Sequence, residues 1–148
     1  MKNIVSLILS LFCFLIAPSS LLAQQLSAAS ISERNSCYFI VGSAGGFTGQ
    51  SLRYYFFKDG SVYKQINTAS ELDRVRTISK KEVKKLFREL KSLQLKKTSF
   101  NHPGNITYSI EQHFKSEVAS VAWGDSSVPV PASLKNFYRA AMDFATPL

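Results

Sequence analysis

The chain has 148 residues, with 18 Lys and Arg against 10 Asp and Glu for a net charge of +8, and it holds only two His and two Cys. That length suits one domain able to close a core without disulfide staples, and no internal repeat or low-complexity tract divides it. The basic balance fits a nucleic acid, an anionic envelope surface or an acidic protein as partner, while so few imidazoles and thiols are a thin inventory for hydrolytic or metal chemistry.

The first residues read as an address. Met1-Lys2-Asn3 gives a short positive start, Ile4 to Ala17 is almost wholly apolar, and Ser20-Leu21-Leu22-Ala23 offers a small residue before Gln24. This is the tripartite pattern of a cleavable signal peptide over residues 1–23, and it predicts a secreted or periplasmic protein. The apolar run, broken by Pro18, is short for a membrane span, and no transmembrane segment is expected after cleavage. Cleavage discards Cys13 and leaves Cys37 alone, so the mature form has no intramolecular disulfide. Cys37 opens an apolar run, where a thiol serves as a small buried hydrophobe.

Residues 24–36 are polar, small and irregular, the composition of a flexible leader, and residues 37–148 are expected to form a single domain. Cys37 to Ala44 reads as a strand rich in β-branched and aromatic residues. Three glycines then surround one aromatic in Gly45-Gly46-Phe47-Thr48-Gly49. Glycine is favoured where the backbone needs positive φ or passes close to another chain, so the segment is a shaped loop with Phe47 at its tip or folded under it. Ser51 to Lys58 alternates as a second strand, Asp59-Gly60 is a hairpin signal, and Ser61 to Ile66 returns as a third. Asn67 to Thr77 shows no period and reads as a connecting loop.

Ser79-Lys80-Lys81-Glu82 is a capping box, opening a helix to about Leu93. Val83, Leu86, Phe87, Leu90 and Leu93 give it one apolar stripe; Lys80, Lys81, Lys84, Lys85, Arg88 and Lys91 occupy the rest. Asn101 to Asn105 is turn chemistry around Pro103 and Gly104. Ile106 to Phe114 alternates as a half-buried strand, and Glu117 to Trp123 follows as another, with the indole of Trp123 in the core. Pro129 and Pro131 delay the last helix to about Ser133 to Phe144. The order is therefore β-β-β-α-β-β-α: an α+β fold with one antiparallel sheet of four to five strands and two helices packed on one face.

Glu111 and His113 share a strand face, but Glu-x-His without a third ligand is a weak metal signal, and no metal site or cofactor is expected. His102 precedes a proline in a loop. No nucleophile elbow, phosphate loop or zinc-protease helix motif occurs, and no nucleic-acid motif accompanies the lysines. Asn105-Ile106-Thr107 matches a glycosylation acceptor. The residues therefore point to a binding protein, not an enzyme. Two partner classes follow: a protein met through the glycine loop, or anionic polymers and surfaces met through the basic helix of an envelope-associated module.

The stretch Ser43-Ala44-Gly45-Gly46-Phe47-Thr48-Gly49, directly after the first strand, resembles emfourin, the family of small protein inhibitors of thermolysin-like zinc metalloproteases. It matches the family's serine-glycine-glycine-phenylalanine-small-glycine pattern with one alanine inserted. The middle helix, the turn at Pro103, the strand from Ile106-Thr107-Tyr108 and a closing segment with Pro131, Leu134 and Phe137 come in the family's order. The export signal, the leader, a longer hairpin and the basic charge depart from it. The resemblance implies a non-enzymatic inhibitor of a secreted zinc metalloprotease, with Gly45, Gly46, Phe47, Thr48 and Gly49 as the matched partner-binding positions.

Overall fold

The computed structural model describes residues 26–27, 30–31 and 37–146. The expected signal peptide, residues 1–23, lies outside the described residues. The strands are β1 (Leu26–Ser27), β2 (Cys37–Gly45), β3 (Gln50–Phe57), β4 (Ser61–Ile66), β5 (Glu71–Thr77), β6 (Asn101–His102), β7 (Ile106–Phe114) and β8 (Glu117–Trp123). Helix α1 (Lys80–Ser92) separates β5 from a 3₁₀ turn at Leu95–Lys97, and α2 (Ala132–Ala145) closes the chain. All eight strands form one sheet in the order β1-β5-β4-β3-β2-β7-β8-β6. Every pairing is antiparallel except that of β6 with β8.

This corrects the expected sheet of four to five antiparallel strands: the fold is α+β, but its sheet is mixed and has eight strands. The largest addition is β5, read from sequence as a loop. Its two apolar residues, Leu72 and Val75, are three apart, which strand alternation puts on opposite faces, and a bulge at Val75 shifts the register beyond it, with Tyr63 opposite Arg74 and Val62 opposite Arg76. Leu72 consequently joins the core on one face and Val75 on the other, so no alternation of period two exists to be read. The remaining additions, β1 and β6, are two-residue pairings too short to leave a pattern. Within the segment expected as a leader, Leu26 pairs with Leu72, and Ile31 is buried.

Strand β2 lies at the centre, bonded to β3 and β7 along its length. Its alternation sorts the sheet into two faces. Phe39 and Val41 join Tyr54, Phe56, Ile110 and Val121 in the main core, under Val83, Leu86 and Leu90 of α1 and Leu134, Phe137 and Ala141 of α2. Phe39 stacks on Phe56 at 4.6 Å and meets Phe87 edge-on at 5.2 Å. Removing a ring so enclosed costs about 3–5 kcal/mol. On the other face Ile40, Tyr55, Phe57, Tyr63 and Leu72 form a smaller cluster, covered by Leu26 and Ile31.

The capping box that opens α1 is present: the Glu82 amide donates to the Ser79 hydroxyl, and the Ser79 amide donates to the Glu82 carboxylate at 2.8 Å. Helix α2 follows Pro131, whose carbonyl accepts from the amides of Leu134 and Lys135. Among the described residues no helix is long and apolar enough to cross a membrane.

Candidate functional site

The glycine segment forms the turn between β2 and β3, and each of its glycines has a separate task. Gly45 ends β2 at φ +104°, where a Cβ would stand 2.2 Å from the Asn105 carbonyl oxygen. A side chain here would meet both backbone strain and a backbone clash, so only glycine fits. The Gly46 amide donates to that same Asn105 carbonyl at 2.8 Å, and the Gly49 amide closes the turn on the Gly46 carbonyl at 3.1 Å. Gly46 and Gly49 also have positive φ, whereas Phe47 and Thr48 between them do not. The glycines absorb the unfavourable geometry and leave the two side-chain-bearing residues relaxed.

Phe47 is exposed to 108% of its reference value. Thr48 and Gly49 are exposed beside it, as is Gly45, and Gly46 is half-buried against Ile106. Burying a phenylalanine contributes about 1.5–3 kcal/mol, and this ring forgoes that within the fold. Ile66 and Ile106, at 46% and 45% exposure, lie at the same end of the sheet. Three of the five large exposed apolar side chains among the described residues thus lie at one end of the sheet.

Support for this end comes from neighbouring loops that the sequence did not connect to it. The Asn105 carbonyl holds the turn, and the preceding Gly104 packs backbone to backbone on Gly124. The Asp125 amide donates to the His102 carbonyl at 3.1 Å, joining the loop after β8 to β6. On the core side, Ser43 hydrogen-bonds Tyr138 of α2, whose phenol burial pushes up to about 12. Tyr138 in turn meets Tyr108 and Trp123 edge-on. Gly104 and Gly124 are visible in the sequence, but only their contact in space explains them.

The other candidates fall elsewhere. Glu111 and His113 are on the face of the sheet away from the helices, where Arg53 donates to both Glu111 carboxylate oxygens at 2.8 and 2.9 Å. His113 Nε2 lies 3.5 Å from Glu111, and its ring stacks on Tyr38 at 4.4 Å. The carboxylate is already engaged by a guanidinium, and among the described residues no three His, Cys, Asp or Glu gather as metal ligands. Lys80, Lys81, Lys84, Lys85, Arg88 and Lys91 are all exposed on α1, with Lys85 near Glu89 at 3.9 Å. His102 is exposed beside Phe100. Asn105 is exposed as well, with its backbone carbonyl committed to the turn. Cys37 is a free, half-buried thiol at the far end of β2.

The chain matches no protein-family model and no curated protein.

Proposed function

We propose that this protein is an exported, non-enzymatic binding protein that docks on a protein partner through the Gly46–Gly49 turn, with Phe47 as its anchor. The observation that carries this reading is the full exposure of Phe47 on a turn whose backbone is already fixed by Asn105 and by the Gly46 to Gly49 bond. Interfaces concentrate their binding energy in a few central, often aromatic, side chains. A loop ordered before contact avoids the entropy cost of ordering on binding.

The resemblance to emfourin names the partner: a secreted thermolysin-like zinc metalloprotease, whose cleft the turn occupies without being cleaved. Titrating the purified protein into a set of such proteases tests this. Stoichiometric inhibition supports the reading, and no inhibition at micromolar concentrations refutes it.

The six exposed cations of α1 favour a second reading, adhesion to an anionic polymer or envelope surface. That mode gives binding that falls steeply with salt and disappears when Lys81, Lys84, Lys85 and Arg88 are neutralised together. Docking through Phe47 responds to neither change.

A further inference from the structure

We infer that the protein has a second binding site, at the opposite end of β2 from the Phe47 turn, which takes a small amphiphilic anion: a single-tailed carboxylate. A groove of about 640 Å³ opens there between the last turn of α1, the 3₁₀ turn and the ends of β2 and β7. That is within the usual range for small-molecule sites, about 300–1,000 Å³. Its apolar lining is Phe87, Leu95 and Phe114, the last 41% exposed. Phe87 also touches Phe39, so the groove is a margin of the main core left open to the surface.

Four lysines from three places in the chain surround this lining: Lys58 after β3, Lys91 in α1, and Lys96 and Lys97 in the 3₁₀ turn. Among the described residues no acidic side chain lines the groove. Lys96 is paired with Glu117 outside it, while Lys58, Lys91 and Lys97 form no ion pair among the described residues. The carboxyl end of α1 opposes an anion with about half a charge, well below the charge of three free lysines. A solvated lysine face needs no apolar floor, and an apolar floor alone would not select charge. Gln112 adds a polar amide on the core-facing side of β7, in register with Phe39. Among the described residues no arginine lines the groove, so the anionic head is held by lysine point charges and not by a bidentate fork, and a carboxylate is the smallest such head on a single tail.

Calorimetric titration with octanoate, decanoate and dodecanoate tests the site. Affinity should rise two- to fourfold per added methylene. Decan-1-ol, which has the tail without the charge, should bind at least tenfold more weakly than decanoate. A Lys91→Glu, Lys97→Glu double variant should weaken decanoate at least tenfold, while Lys81→Glu, Lys84→Glu, with the same change in net charge, should stay within twofold. In a Cys13→Ser background, decanoate should slow maleimide labelling of Cys37, which lines the groove. Phe47→Ala should leave all of this unchanged, so this site and the turn stand or fall separately. Absence of decanoate binding at millimolar concentration, equal loss in the two double variants, or Cys37 labelling indifferent to decanoate would each overturn the proposal.

Discussion

The turns at the two ends of β3 both rely on glycine at positive φ, and the fold treats them in opposite ways. At the β3–β4 turn, Gly60 is buried at φ +91°; its amide donates to Phe57, its carbonyl accepts from Ile78, and a Cβ would lie 2.3 Å from the Ile78 oxygen. Asp59 accepts from the Ser61 amide and hydroxyl, so these two side chains are spent on the turn itself. At the β2–β3 turn the backbone is held as firmly, but Phe47 contributes nothing to holding it. Glycine and local hydrogen bonds specify a turn; what the turn is for is written in the side chain left over.

The largest effects should come from the positions where glycine meets backbone. Gly60→Ala and Gly45→Ala should each lower the unfolding free energy by about 3 kcal/mol or more, since left-handed strain adds to a clash with a carbonyl that cannot move away. Urea denaturation measures this, and a cost below about 1 kcal/mol at either site would dissolve the claim that both turns are equally fixed.

A pH effect of intermediate size should follow from Tyr138, which holds the β2 end through Ser43. Its phenol is raised from the ordinary 10.0 to about 12, chiefly by burial, so above pH 10 the unfolded chain loses this proton first. Stability is thus untouched by this group below pH 10 and falls as pH climbs from 10 to about 12. Burial also raises Tyr38, Tyr54 and Tyr55, which add to the fall. Denaturation at stepped alkaline pH should show a shallower decline for Tyr138→Phe.

Gly49 sharpens the comparison, because its φ is +61° but no atom lies within 4 Å of an added Cβ. Gly49→Ala should therefore cost only the backbone strain, about 1–2 kcal/mol. Smallest of all is Phe47→Ala, expected to change stability by less than about 0.5 kcal/mol. A larger loss in the same denaturation series would mean that the ring packs in solution.

How far these features could be read in advance depended on how local their causes are. Ser79 and Glu82 announce α1 because a capping box lies within four residues, and the aromatic run from Tyr54 to Phe57 marks β3 because aromatic residues favour strands and both faces of this one are buried. Strand β5 was hidden because its bulge breaks the period and its charged residues face solvent near the edge, a place where charge guards against further pairing. The Gly45 to Gly49 motif was legible as a shaped loop, yet the exposure of Phe47 was not, since the same glycines serve a ring folded inward. The bracing by Asn105, Gly104 and Gly124 depends on contacts between loops far apart in the chain, which no local pattern encodes.

The central claim is that a fixed turn offers Phe47 to another protein, and the most direct test is the dissociation constant for a thermolysin-like protease measured side by side for the natural chain and Phe47→Ala. The account predicts that the natural chain binds and that the variant, equally stable to urea, loses about 30-fold or more in affinity, the loss of a hot-spot residue worth about 2 kcal/mol. Equal affinity for the two proteins would contradict it.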